Sequence, residues 1–167
     1  FESRISRLLG KKYGVMTNSG SSANLLAVEL LDLKVGDEVI TPALTFSTTV
    51  APLLQKGLKP VFVDVDYQTL QVDLEELESK ITPKTKLLMI PLLLGNWCQL
   101  DYLRSIAKKY KLKVILDSCD SLGGLYKGRP VGHFADIVTT SFYASHIITA
   151  GGGGGMLCVG NKKAYDN

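Results

Sequence analysis

"YGVMTNSGSSANLLAVELL", residues 13–31, decides how the rest of the chain is read. Tyr13–Thr17 reads as a strand. Residues 18–31 open with cap and glycine residues and continue as a helix, with apolar positions at 25, 26, 28, 30 and 31. The same alternation then repeats. "DEVITP" (37–42) reads as a strand and "TFSTTVAPLLQKG" (45–57) as a helix closed by Gly57. "PVFVDV" (60–65) is a strand, followed by a short helix at 73–81 with Asp73 as its cap. "KLLMIPLLL" (86–94) is an apolar strand, and residues 100–110 form a helix with Leu100, Leu103, Ile106 and Ala107 on one side. "KVILD" (113–117), "ADIVTTSFY" (135–143) and "GMLCVG" (155–160) complete the strands, and a helix over residues 3–9 precedes them all. Strands alternating with helices argue for a mostly parallel sheet covered on both faces. The expectation is a single three-layer α/β/α domain over residues 1–167.

Composition narrows the class. The chain is 46% apolar and 21% charged, as ordinary globular domains are. No apolar run approaches the roughly 20 residues of a membrane span, and the opening "FESRISRLLGKKYG" has no signal-peptide core. Net charge is +3 with scattered lysines; the one dense stretch, "KKYKLKV" (108–114), reads as a solvated helix end rather than a nucleic-acid stripe. Cys98, Cys119 and Cys158 match no zinc spacing and no disulfide framework, so a reducing cytoplasm and free thiols are expected.

In parallel α/β sheets, ligands bind beyond the carboxyl ends of the strands. Four such ends carry candidate chemistry. Gly20, Ser21 and Ser22 begin a helix, where exposed amides either hold a phosphate or are capped internally. Phe46 follows a strand and either stacks on a planar ring or joins the core. Asp117 closes a buried strand and either faces a ligand or caps a turn. The last is "SFYASHIITAGGGGG" (141–155), where Ser141, His146 and five glycines crowd together. His146 is either a reacting group or a loop histidine, and the glycines are either slack or room for a ligand. His133, in a polar loop, reads as surface.

Taken in this order, "NSGSSAN", "TFSTT", "LDSCDSLGG", "SFYASH" and the glycine loop resemble the large domain of fold type I pyridoxal phosphate (PLP) enzymes. Specifically, they are similar to the DegT/DnrJ/StrS-type sugar aminotransferase family. The resemblance implies a cofactor domain truncated before a C-terminal small domain, in a protein that works as a homodimer. It implies phosphate contacts from Gly20, Ser21, Ser22 and Ser141, ring stacking by Phe46 and a pyridine nitrogen partner in Asp117. Asp120 falls where the aminotransferases carry a glutamine near the ring hydroxyl.

One departure redirects the function. Where the family's aminotransferases carry the lysine that forms the Schiff base, this chain has His146. That substitution, with "MTNSGSSANLLAV", "SCDSLGG" and "SFYASHIIT", resembles the 4-keto-6-deoxyhexose 3-dehydrases, which use pyridoxamine phosphate (PMP). The activity so implied is removal of the 3-hydroxyl from a nucleotide-linked 4-keto-6-deoxy sugar, with His146 moving the proton; the alternatives are a PLP-dependent nucleotide-sugar aminotransferase and a non-catalytic relative that binds sugar nucleotides. Deoxysugar and lipopolysaccharide synthesis is the expected setting, with a reductase as a further partner. Some dehydrases also carry a [2Fe-2S] centre on four cysteines, of which Cys119 would be the first. The family's loop glutamate appears here as Gly152.

Overall fold

A computed structural model describes residues 1–166. The elements run α1 (Glu2–Leu8), β1 (Tyr13–Thr17), α2 (Gly20–Glu29), β2 (Glu38–Pro42), α3 (Ser47–Gln55), β3 (Lys59–Val63), α4 (Leu74–Ser79) and β4 (Thr85–Pro91). They continue with α5 (Leu100–Tyr110), β5 (Lys113–Asp117), a small hairpin of β6 (Leu125–Tyr126) and β7 (Arg129–Pro130), β8 (Ile137–Ser141), β9 (Gly155–Val159) and α6 (Lys162–Asp166). Seven strands form one sheet in the order β1-β9-β8-β5-β4-β2-β3. The pairs from β8 through β3 are parallel, while β9 runs antiparallel to both β8 and β1. The mostly parallel three-layer expectation therefore holds, with one reversed strand.

The strand sequences explain why both faces are covered. In β4, Leu87 and Met89 pack into one core while Leu88 and Ile90 pack into the other. In β5, Ile115 faces the first of these and Val114 and Leu116 the second. With a side-chain period of two, a continuously apolar strand must be buried on both sides. Ala27, Val28 and Leu53 bring α2 and α3 to one face; Ile5, Leu77, Leu103 and Ile106 bring α1, α4 and α5 to the other.

Local signals mostly kept their meaning. Asp73 caps α4, accepting from the amides of Glu75 and Glu76 at 2.9 and 3.0 Å. The buried side of α5 is Leu100, Leu103, Ile106 and Ala107, as the spacing predicts. Helix α2 differs. Its buried residues are Gly20, Ala23, Asn24, Ala27 and Val28, while Leu26 is exposed and the helix stops at Glu29. Small side chains let α2 lie close on β8 and β9, so size outranked hydrophobicity there. His133 is exposed, as are Lys108, Lys109, Lys111 and Lys113. Among the described residues no helix is long and apolar enough to cross a membrane.

Candidate functional site

The carboxyl ends of β2, β4, β5 and β8 open on one cavity of about 590 Å³, within the usual range for small-ligand sites. Gly20, Ser21, Phe46, Asp117, Cys119, Asp120, Ser141 and His146 all stand on its wall. The chain brings them together because the parallel strands end on the same edge of the sheet.

At one end of the cavity lies the start of α2. Ser19 caps it, its Oγ accepting from the Ser22 amide at 3.2 Å, and the Ala23 amide donates to the Ser19 carbonyl at 3.1 Å. The amides of Gly20 and Ser21 remain for a ligand, at the positive end of the helix dipole. Ser141 lies against this turn. A Cβ built on Gly20 would sit 2.7 Å from Ser141 Cβ and 3.2 Å from its Oγ, so only glycine permits the approach. Ser22 does not join them: its hydroxyl donates to Asn18 Oδ1 at 2.6 Å and it is not on the cavity wall. A side-chain partner on Asn18 engages the hydroxyl that the sequence offered to a phosphate.

Asp117 forms the floor, 7% exposed. Asn24 Nδ2 donates to its Oδ2 at 2.8 Å, Thr49 Oγ1 donates to the same oxygen at 3.3 Å, and the Cys119 amide donates to Oδ1 at 3.2 Å. Thr139 in turn donates to Asn24 Oδ1 at 2.6 Å. Asn24 and Thr49 were not singled out from sequence. Asn24 sits one helical turn into an apolar-looking helix, and only the burial of a polar amide there marks it. Asp120 accepts from the Leu94 amide at 3.1 Å, tying the loop after β4 to the floor.

Phe46 precedes the first turn of α3 and is 70% exposed, its ring unclaimed by either core. His146, also on the wall, follows a turn in which its amide donates to the Tyr143 carbonyl at 2.9 Å. The Tyr143 and His146 rings meet edge-on, 6.2 Å between centroids. His146 Nδ1 is sealed from solvent and has no partner, which leaves Nε2 as the nitrogen with access to the cavity. No lysine is on the cavity wall among the described residues.

The glycine run is not slack. Gly151, Gly152 and Gly154 have φ of 67°, 128° and 145°, backbone that other residues rarely adopt. A Cβ on Gly155 would fall 2.3 Å from the Ser19 backbone. Gly152 itself has open space around it, so its place in the loop rests on conformation alone.

All three cysteines are free. Burial pushes the Cys98 and Cys158 thiols up to about 12. Burial, with the neighbouring Asp117 and Asp120 carboxylates, raises the Cys119 thiol further still. Among the described residues no group of three or more His, Cys, Asp or Glu side chains gathers as a metal site. Cys119, the thiol that the resemblance offers to an iron–sulfur centre, is on the cavity wall, and Cys98 and Cys158 are not.

Two free amides at a helix start, a buried carboxylate and an unclaimed aromatic ring can hold a planar ligand that carries an anion. The sequence as a whole matches a known group of proteins. The description "DegT/DnrJ/EryC1/StrS aminotransferase family" matches residues 1–167. The chain belongs to this family. It is 48% identical to the lipopolysaccharide biosynthesis protein RfbH of Salmonella typhimurium, over 94% of this chain and 38% of that protein. To dTDP-4-dehydro-2,6-dideoxy-D-glucose 3-dehydratase of Saccharopolyspora spinosa it is 42% identical, over 94% of this chain and 36% of that protein. GDP-perosamine synthase of Escherichia coli O157:H7 is 38% identical over 99% of this chain and 45% of its own length. Among solved structures, E. coli GDP-4-keto-6-deoxy-D-mannose-3-dehydratase with bound hydrated PLP superposes with a TM-score of 0.92 at 36% identity, covering 98% of this chain and 43% of that one. The chain thus spans less than half the length of these relatives.

Proposed function

We propose that this chain is the cofactor-binding part of a PMP-dependent enzyme that removes the 3-hydroxyl of a nucleotide-linked 4-keto-6-deoxyhexose. In this reading residues 1–167 form one domain, and a C-terminal small domain and a second subunit complete the working protein. The observation that carries the proposal is the cavity wall itself: His146 stands on it and no lysine does among the described residues. An aminotransferase of this family needs a lysine amine to hold PLP between turnovers, and imidazole cannot form that bond.

The residues fit the cofactor. The α2 start and Ser141 suit a phosphate, with Gly20 cleared for it. Phe46 offers a ring face. Asp117, its orientation fixed by Asn24 and Thr49, would be the partner of the pyridine nitrogen. PMP, when bound, supplies an amine for the 4-keto group and an electron-accepting ring.

The protein's part is then proton handling. His146 would be the proton carrier on the cavity wall, accepting one proton and giving one to the departing 3-hydroxyl, which leaves as water. Histidine suits this because an imidazole nitrogen can accept a proton and later donate it. Leu44, Leu92 and Leu93 add apolar surface to the cavity wall. Association with a reductase and a role in deoxysugar or lipopolysaccharide synthesis follow from such a product.

The test is product analysis with full-length protein, PMP and GDP-4-keto-6-deoxymannose or dTDP-4-keto-2,6-dideoxyglucose. The proposal expects a sugar that has lost its 3-hydroxyl. A 4-amino sugar formed with glutamate as amino donor would replace it with a transaminase.

A further inference from the structure

Among the described residues, four buried side-chain polar atoms have no hydrogen-bond partner: Thr41 Oγ1, Thr45 Oγ1, Gln71 Oε1 and His146 Nδ1. An unpaired buried polar group is destabilising, so each calls for an explanation. Thr41 and Gln71 are not on the cavity wall, and Gln71 is already engaged through its Nε2, which donates to the Leu93 carbonyl at 3.0 Å. Thr45 and His146 are both on its wall, on different loops. His146 already has a proposed task. Thr45 has none.

Thr45 sits in the loop between β2 and α3, between Leu44 and Phe46 in sequence. These neighbours are 46% and 70% exposed, which puts the loop at the mouth of the cavity rather than its floor. The floor and the phosphate end are served by other groups: Asp117 below, and the α2 turn with Ser141 at the side. A ligand group reaching Thr45 therefore enters last and lies outermost. A staggered step of χ1 moves the hydroxyl to another of the three positions around Cβ, so a ligand in the cavity can draw it into a hydrogen bond.

We propose that Thr45 is a substrate-positioning residue whose hydroxyl hydrogen-bonds a hydroxyl of the nucleotide-linked sugar. This inference rests on the sugar-nucleotide reading given above. A threonine hydroxyl both donates and accepts, as a sugar hydroxyl does, so the pair satisfies both partners whichever carries the proton. The free protein pays for the unpaired atom with lower stability, and the ligand removes that penalty on binding.

The experiment compares Thr45→Val, which keeps the shape and removes the hydroxyl, with Thr45→Ser, which restores it. Full-length protein is titrated calorimetrically with PMP alone, and then with a GDP- or dTDP-linked 6-deoxyhexose. Binding, not dehydration, is the readout, so a failure of the dehydration reading leaves this comparison intact. Loss of one neutral hydrogen bond should weaken sugar-nucleotide binding by about three- to tenfold in the Val variant. The Ser variant should stay within about twofold of wild type, since it retains the hydroxyl. PMP affinity should be unchanged in both, and the free Val variant should melt no lower than wild type. Unchanged sugar-nucleotide binding in the Val variant overturns the proposal, as does an equal loss of PMP affinity. So does failure of the wild type to bind either sugar nucleotide.

Discussion

Asn24 and Asp117 are 93 residues apart in sequence and joined by a buried hydrogen bond of 2.8 Å, the amide of a helix holding the carboxylate at the end of a strand. Through Asn24 Oδ1, which accepts from Thr139, the same amide also ties β8 to the network. The floor of the cavity is thus assembled from α2, β5 and β8, and Asp117 is held before any ligand arrives.

Replacing Asn24 by Leu removes the strongest partner of a carboxylate that is 7% exposed and strands the Thr139 hydroxyl. Leaving buried groups unpaired should lower stability by about 1–3 kcal/mol. Urea unfolding measures that loss. PMP titration should show weaker binding too, because Asp117 is no longer oriented.

Gly20→Ala tests the closeness of α2 and Ser141. The added methyl would lie 2.7 Å from Ser141 Cβ, so the helix start must shift. Overpacking of this kind typically costs about 1–3 kcal/mol, and the displaced amides should weaken phosphate binding, as read by titration with PMP and with inorganic phosphate. Gly160→Ala is the control. A Cβ there meets nothing within 4 Å, and its melting temperature should match wild type.

Lys11 supplies a pH dependence away from the site. It is 9% exposed, its Nζ donates to the Ala135 carbonyl at 2.7 Å, and burial lowers its pKa to about 8. Between pH 8 and the unfolded value of 10.5 the unfolded chain therefore binds more protons, so this residue makes stability rise with pH across that window. The gain should be roughly 1–3 kcal/mol. Cys98 and Cys158, with thiols pushed up to about 12, act in the opposite sense above pH 9. The difference between wild type and Lys11→Met isolates the lysine: the rise should vanish in the variant. Parallel stability curves for the two proteins would remove Lys11 from the account.

Much of this was legible in the sequence because it rests on local patterns. Continuous apolar strands, the Asp73 cap and the spacing along α5 each follow from short-range periodicity or capping. What stayed hidden depends on long-range closeness. That α2 buries Ala23, Asn24 and Ala27 rather than its leucines follows from how near β8 and β9 lie. The engagement of Ser22 with Asn18, the Asn24–Asp117 bond and the unpaired Thr45 hydroxyl involve atoms whose meeting no single-chain pattern announces. The reversed β9 escaped for the same reason: a glycine loop can return the chain in either sense, and strand pairing decides which.

His146 is the residue on which the proposed chemistry turns, and two substitutions separate its roles. His146→Lys puts an amine where His146 faces the cavity. If the position corresponds to the Schiff-base site, this variant should form a borohydride-reducible bond to added PLP. The wild type should bind PLP without one, since no lysine is on the cavity wall among the described residues. Mass spectrometry after reduction and proteolysis would locate the adduct. His146→Asn keeps a polar side chain and removes the proton carrier. General acid–base catalysis is worth about 10²–10⁴-fold in rate, and dehydration should fall by that order. PMP affinity should be nearly untouched, because it depends on the α2 turn, Phe46 and Asp117. A reducible lysine adduct in the wild type, or full dehydration activity in the Asn variant, would remove His146 from the proton path.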